Sequence, residues 1–242
     1  MSAAKPALLL LPGLLCDETV WRAQLDRFSP IADVIVPDYG DADSITEMAK
    51  IALSKAPERF SLVGHSMGAR VALEVVRMAP EKVERIAMLD TGVHDVKPDE
   101  QGKRMRLVKL AEEDGMGALC DAWLPPMVHP DLRTDKAFMK PLREMVERLT
   151  PAHFAAQIHA LLTRPDTAPA LAAIKSPILI GVGRQDEWSP IDQHEDILAR
   201  LGGRGKLVIF EDAGHMAPYE APESVNAALA EWFSEPVGTS RD

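Results

Sequence analysis

The sequence predicts an α/β protein with a mostly parallel central sheet, flanking helices and one helical insertion. Short apolar runs alternate with helical patterns up to residue 96, this alternation stops between residues 97 and 167, and it then resumes. Strands that alternate with helices form right-handed βαβ units, whose strands are parallel. A chain of 242 residues that is 46% hydrophobic can bury one substantial core but not two. We therefore expect a core of residues 1–96 and 168–242, with residues 97–167 as a helical cap over the sheet edge.

Six short apolar runs are predicted to be strands. The first, Ala7 to Leu11, is apolar throughout and stops at Pro12-Gly13, as expected of a strand covered on both faces. The other five are Ile31 to Val36, Phe60 to Val63, Arg85 to Leu89, Ile178 to Val182 and Lys206 to Phe210.

Helical spacing of apolar residues fills the segments between these strands. Ser44 and Glu47 have the spacing of a capping box at the start of one helix. Thr150 and Pro151 supply an N-cap and a first-turn proline for a helix in the insertion. The predicted helices cover residues 20–28, 44–56, 69–78, 142–149, 151–162, 191–201 and 222–233, and a frayed tail is expected from residue 235.

The most informative motif is Gly64-His65-Ser66-Met67-Gly68, which lies directly between a predicted strand and a predicted helix. In that setting the glycines permit a tight strand-to-helix turn that projects the serine hydroxyl outward, the arrangement called a nucleophile elbow. The alternative is a helix N-cap at Ser66 that only accepts a backbone hydrogen bond. A nucleophilic serine also needs a base and a group that orients the base.

Asp186 and His215 each follow a predicted strand by a few residues. In parallel sheets, functional groups lie beyond the carboxyl ends of the strands, so both residues are candidate partners of Ser66. Asp186 could instead be a carboxylate at a helix N-terminus, and His215 a polar turn residue. Glu187 and Asp212 are the competing carboxylates; of these, Asp212 is expected to support the loop that carries His215.

Three motifs together resemble the α/β-hydrolase fold over nearly the whole chain: the Ser66 pentapeptide, Gly183-x-x-Asp186-x-x-x-Pro190, and Asp212-x-Gly214-His215. The chain order Ser, Asp, His is the order of that fold. The resemblance implies that Ser66 is the nucleophile, His215 the general base and then acid, and Asp186 the orienting carboxylate.

The same resemblance implies an oxyanion hole formed by the backbone N–H groups of Met67 and Leu14. Many relatives have His-Gly where this chain has Pro12-Gly13, so the loop that carries the second donor departs from their pattern. The segment Trp21-x-x-Gln24 is also similar to enol-lactone hydrolases and small carboxylesterases of this fold.

Four further residues are candidates for the wall of the substrate pocket, although each could equally serve packing or local hydrogen bonding: His65, Trp188, Trp123 and Met127. Metal binding is not predicted, because His153 and His159 are six residues apart and therefore lie on different helix faces. No cofactor is expected.

Charge and cysteine content restrict the possible partners. A net charge of −10 would repel nucleic acid and anionic lipid, and no run of residues is apolar and long enough to cross a membrane. Two cysteines in a chain of this size suit a reducing compartment, so a cytoplasmic location is expected. Residues 97–167 contain 11 basic and 11 acidic side chains, and these equal numbers predict no positive funnel for an anionic substrate.

These observations favour a serine hydrolase that cleaves a carboxylic ester or lactone of a small molecule through an acyl-enzyme on Ser66. Two alternatives remain at the level of sequence. One is a lyase that uses the same three residues for proton abstraction, and the other is a ligand-binding protein with a vestigial triad.

Overall fold

A computed structural model describes residues 5–237 and contains a six-stranded sheet in which all neighbouring strands are parallel. The strand order is β2-β1-β3-β4-β5-β6. The strands are β1 (Ala7–Leu11), β2 (Asp33–Ile35), β3 (Phe60–His65), β4 (Val83–Leu89), β5 (Ile178–Gly183) and β6 (Lys206–Phe210). The predicted fold class is confirmed, including a strand at each of the six predicted positions.

Helices cover both faces of this sheet, as a buried parallel sheet requires. They are α1 (Arg22–Phe28), α2 (Ile45–Lys55), α3 (Met67–Met78), α4 (Glu100–Trp123), α5 (Lys136–Glu147), α6 (Pro151–Leu162), α7 (Ala168–Ala173), α8 (Ile191–Arg200), α9 (Ala217–Glu220) and α10 (Pro222–Phe233). Helices α2 and α3 pack on one face, and α1 and α10 on the other. The predicted caps are present, since the side chains of Ser44 and Thr150 accept hydrogen bonds from Glu47 N and His153 N.

Strand β1 shows why its sequence is apolar at every position. Leu9 and Leu11 belong to the core on the α2–α3 side, whereas Leu8 and Leu10 belong to the core on the α1–α10 side. Side chains of a strand alternate between the two faces, so a central strand needs apolar residues on both. Each of these four leucines is at most 1% exposed.

Several elements differ from the sequence prediction. Helix α5 begins at Lys136 rather than at residue 142, and α7 and α9 were not predicted. Strand β2 is only three residues long, and Ile31, predicted to begin it, is 46% exposed. This strand lies at the sheet edge and pairs with β1 alone, so it has ladder hydrogen bonds on one side only. Helix α4 was not predicted, because Gly115 has φ 85° and ψ 174° and interrupts its helical periodicity.

All of residues 97–167 are described, and they form helices and turns but no strand. Their role as a cap stays a prediction. In the part of the chain from residue 5 to residue 237, no helix is long and apolar enough to cross a membrane.

The frayed tail predicted from residue 235 does not begin there. The Glu235 carbonyl accepts hydrogen bonds from Arg85 Nε at 3.0 Å and Nη2 at 2.6 Å, so the chain is still held to β4 there. The remainder of that prediction, residues 238–242, lies outside the described residues.

Candidate active site

Ser66 occupies a strained turn between β3 and α3. Its backbone has φ 55° and ψ −117°, a region that non-glycine residues rarely adopt. Both flanking glycines are required by close contacts: a Cβ on Gly64 would lie 2.4 Å from Ala69 Cα, and one on Gly68 would lie 2.0 Å from Leu11 O. Such strain is typical of functional turns, where it aims a side chain.

The structure brings Ser66, His215 and Asp186 together. His215 Nε2 lies 2.8 Å from Ser66 Oγ, and His215 Nδ1 lies 2.8 Å from Asp186 Oδ2. An ionised carboxylate can only accept, so Nδ1 carries the ring proton and Nε2 accepts from the serine hydroxyl. The side chains of Asp186 and His215 are almost fully buried. This hydrogen-bond chain has the geometry of a nucleophile, a base and a group that orients the base.

Asp186 is held in its ionised form. Burial opposes ionisation, but the nearby His215 and hydrogen bonds from His215, Ser189 N and Trp188 N together lower the pKa of the Asp186 carboxyl. The two backbone donors both contact Oδ1 at 2.8 Å, which leaves Oδ2 for His215. The carboxylate is therefore fixed in orientation as well as in charge.

The two expected oxyanion donors lie beside Ser66. Leu14 and Met67 line the same cavity as Ser66, and within residues 5–237 neither backbone N–H donates a hydrogen bond. The next N–H in the loop, that of Leu15, instead donates to Gln157 Oε1 at 2.8 Å. Gln157 lies on α6 and is buried, so the insertion fixes the loop that carries Leu14.

Glu220 supports the His215 loop, a role that the sequence analysis expected of Asp212. Its carboxylate accepts hydrogen bonds from three backbone N–H groups, those of Gly214, Met216 and His129, at 2.6 to 3.0 Å. His215 N also donates to Met127 O at 2.8 Å. Asp212 is exposed, so that expectation was wrong. Only the proximity of a carboxylate to His215 in the sequence could have indicated Glu220.

Replacing Glu220 by glutamine is expected to lower the free energy of unfolding by about 1–3 kcal/mol, and to lower kcat. One amide group cannot accept from three N–H donors in this arrangement, because its NH2 would face one of them. Urea denaturation and steady-state kinetics measure the two effects. The same change at Glu223, which is exposed on α10, is the control and should alter neither. Equal values for the two variants would contradict the role given to Glu220.

His65 and Asp90 form a second buried polar pair behind Ser66. His65 Nε2 lies 2.7 Å from the carbonyl oxygen of His215 and 4.0 Å from Asp90 Oδ2. Burial, with a further contribution from the nearby His215, lowers the pKa of His65 to about 3, so the ring is neutral and Nε2 donates. Burial, followed by the charge of Asp186, raises the pKa of Asp90 well above its usual value.

The predicted pocket residues all border one cavity of about 190 Å³ that also contains Ser66 and His215. Trp123, Met127 and His65 are buried in its wall, and Trp188 is 41% exposed. Glu187 is exposed and pairs with Arg133, away from His215. In residues 5–237 no group of three or more His, Cys, Asp or Glu side chains could hold a metal ion.

Because two histidines are buried, we expect the free energy of unfolding to fall in acid. Burial lowers the pKa of His65 to about 3 and that of His194 to about 4, whereas an unfolded histidine titrates near 6.5. Below that value the unfolded chain binds more protons than the folded one. The stabilisation is therefore complete above pH 6.5 and falls as the pH drops toward 4, by up to about 1.4 kcal/mol per pH unit for each histidine.

Urea denaturation at a series of pH values measures this slope. His194→Gln should reduce the slope, because glutamine does not titrate. The variant should still fold, since the amide can accept from Thr91 N and donate to Pro190 O as His194 does. His159→Gln, at an exposed position on α6, is the control and should leave the slope unchanged. A slope that is the same in wild type and His194→Gln would refute the prediction.

Comparison with known proteins places these features in a family. A model of the Alpha/beta hydrolase family matches residues 8–228. A biotin biosynthesis bifunctional protein, BioHC, from Cellvibrio japonicus is 24% identical over 98% of this chain, and the chain spans 49% of that protein. The 2-hydroxy-6-oxononadienedioate/2-hydroxy-6-oxononatrienedioate hydrolase of Escherichia coli strain K12 is 26% identical over 83% of this chain and 75% of its own length.

Solved structures share the fold. An enol-lactonase from Burkholderia xenovorans LB400 superposes with a TM-score of 0.84 at 20% identity, covering 97% of this chain and 94% of its own. A thermophilic esterase from Thermogutta terrifontis gives a TM-score of 0.82 at 24% identity, covering 95% and 90%. The matched family model spans nearly the whole described chain, and the chain belongs to the Alpha/beta hydrolase family.

Proposed function

We propose that the protein is a serine hydrolase that cleaves a carboxylic ester or lactone of a small molecule through an acyl-enzyme. The observation that carries the proposal is the hydrogen-bond chain from Ser66 through His215 to Asp186, which opens into a cavity beside two N–H groups. The names of the structurally similar enol-lactonase and esterase support the same chemistry.

In the first half of this reaction Ser66 Oγ attacks the carbonyl carbon while His215 Nε2 takes the hydroxyl proton. The N–H groups of Met67 and Leu14 stabilise the oxyanion of the tetrahedral intermediate. The intermediate collapses, the bond to the leaving oxygen breaks, and His215 gives its proton to that oxygen. An alcohol, or the hydroxyl end of an opened lactone, results, with the acyl group on Ser66.

In the second half a water molecule attacks the acyl-enzyme, with His215 Nε2 accepting the water proton. Collapse of the second tetrahedral intermediate releases the carboxylic acid, and His215 returns the proton to Ser66 Oγ. Asp186 holds the ring orientation and stabilises its cationic form in both halves. Residues 97–167 act as a cap, since Trp123 and Met127 from this segment form part of the cavity wall.

The test is pre-steady-state turnover of a panel of p-nitrophenyl esters, thioesters and lactones, combined with labelling by a fluorophosphonate. We expect a burst of p-nitrophenol stoichiometric with the enzyme, and a single label on the peptide that contains Ser66. The Ser66→Ala protein should show neither. Full activity in Ser66→Ala would overturn the proposal, and labelling of Ser66 without turnover of any panel member would favour the lyase alternative.

A further inference from the structure

Charge is unevenly distributed around the cavity that contains Ser66. Five cationic side chains border it, Arg70, Lys97, Lys103, Arg104 and Arg164, against two carboxylates, Asp99 and Glu100. The equal numbers of basic and acidic residues in 97–167 did not indicate this excess of positive charge. They include outward-facing side chains and omit Arg70, which lies on α3. The expectation that no positive funnel exists is therefore wrong for this cavity.

One carboxylate already has two arginine partners. Glu100 pairs with Arg164 through Nη1 at 2.6 Å and Nη2 at 2.8 Å, and with Arg104 Nε at 2.8 Å. Lys103 pairs with Asp99. A single carboxylate between two guanidinium groups leaves one positive charge uncompensated before Arg70 is considered.

Arg70 has no carboxylate partner within salt-bridge distance among residues 5–237. It is 8% exposed, and of its five N–H donors one is used, by Nη2 toward the carbonyl oxygen of His94 at 3.2 Å. Arg164 Nε donates to the same carbonyl, so the two guanidinium groups are neighbours. Burial, and next the repulsion of Arg164, lower the pKa of Arg70 to about 9.

A purely structural arginine in this helix is satisfied differently. Arg77, also on α3, is exposed and donates through Nε and Nη2 to both oxygens of Glu74 at 2.8 Å. Buried charges are normally paired, because an isolated one is strongly destabilised by loss of hydration. Arg70 is thus a nearly buried cation with free donors, and it borders the cavity that contains Ser66.

Arg70 follows Ser66 by four residues and lies in the first turn of α3, which begins directly after Ser66. Ser66 and Arg70 both border the cavity, so a small molecule can reach the hydroxyl and the guanidinium at once. A planar guanidinium with several free donors matches a carboxylate, which it can bind with two parallel hydrogen bonds.

We propose that Arg70, with Arg104 and Arg164 beside it, binds a carboxylate carried by the substrate at the end remote from the scissile carbonyl. This inference rests on the proposed hydrolase function and narrows its substrate class. The substrates would be half-esters or half-thioesters of dicarboxylic acids, or lactones that bear a free carboxylate.

The test compares two esters of similar size that differ in one charge: mono-p-nitrophenyl adipate and methyl p-nitrophenyl adipate. Wild type should favour the anionic ester at least tenfold in kcat/KM, mainly through a lower KM. Arg70→Gln should reduce this preference at least tenfold, and Arg70→Lys should retain part of it, because lysine keeps the charge but not the planar fork. Arg77→Gln, on the same helix, is the matched control and should keep the full preference.

A second measurement needs no variant and so does not depend on whether Arg70→Gln folds. In the wild type, adipamate should protect Ser66 from the fluorophosphonate, whereas the uncharged adipamide should not. Equal kcat/KM values for the two esters together with no protection by adipamate would overturn this inference while leaving the hydrolase proposal intact. Absence of all turnover and of labelling at Ser66 would instead overturn the proposed function.

Discussion

Asparagine in place of Asp186 is expected to lower kcat by about 10⁴-fold, the loss seen when the orienting aspartate of an unrelated serine protease is changed in the same way. The replacement keeps the shape of the side chain and both backbone hydrogen bonds to Oδ1. An amide NH2 in place of Oδ2, however, cannot accept from His215 Nδ1, and it favours the ring tautomer whose Nε2 carries a proton. That tautomer cannot take the proton of Ser66.

Asp90 provides the matched control, since it is a second buried carboxyl group near the site, with Oδ2 4.0 Å from His65 Nε2. Its Oδ1 accepts from Gly183 N at 2.8 Å, its Oδ2 has no hydrogen-bond partner within residues 5–237, and its raised pKa favours the neutral form. Asparagine reproduces a neutral carboxyl and tolerates the φ of 50° at this position. Asp90→Asn should therefore change kcat/KM by less than about tenfold, because the amide oxygen still accepts the hydrogen bond from Gly183 N.

Steady-state kinetics on one p-nitrophenyl ester measures both variants, and their thermal unfolding shows whether each is folded. A larger loss in Asp90→Asn than in Asp186→Asn would mean that the roles of the two carboxyl groups have been assigned the wrong way round.

Alanine in place of Gly68 is expected to destabilise the protein by about 3 kcal/mol and to lower kcat by about 10²-fold. The added Cβ would lie 2.0 Å from Leu11 O and 2.7 Å from Pro12 O, both backbone atoms that cannot rotate away. Helix α3 and the end of β1 would have to separate. The segment that moves leads directly to Leu14, so the position of the oxyanion donor would change as well.

Gly102→Ala is the control for this prediction. Gly102 lies in α4, and the nearest atom to an added Cβ is Arg106 Nη1 at 3.9 Å. An exposed helical glycine costs roughly 0.5–1 kcal/mol relative to alanine, so this variant should be slightly more stable than wild type. Chemical denaturation and kcat of the two variants test the contrast. A Gly68→Ala protein as stable and active as Gly102→Ala would contradict the close approach of α3 to β1.

The parts of the fold that could be predicted are those in which a local sequence pattern is compatible with only one structure. β1 is apolar at every position because both of its faces are covered, and the positions of Ser66, Asp186 and His215 beyond strand ends follow from the parallel sheet. The roles of these three residues remain proposals. Helix α4 was missed because Gly115 breaks its period.

Other features could not be predicted because they depend on contacts between distant segments. Nothing in the sequence around Glu220 indicates that it accepts from His129, which is 91 positions away. Gln157 reaches Leu15 across 142 positions. The cationic side of the cavity combines Arg70 from the sheet domain with Arg104 and Arg164 from the insertion, so no local count of charge reveals it.

Both loops that would take part in catalysis are attached to the insertion through their backbones. Gln157 binds the N–H of Leu15, while Met127 accepts from His215 N and His129 donates to Glu220. The insertion and the sheet are therefore not interchangeable modules. A chimaera that takes its insertion from a relative must supply a side-chain acceptor for Leu15 and the paired acceptor and donor of residues 127–129. Without them, an exchange meant to alter specificity would also displace the base and the oxyanion loop.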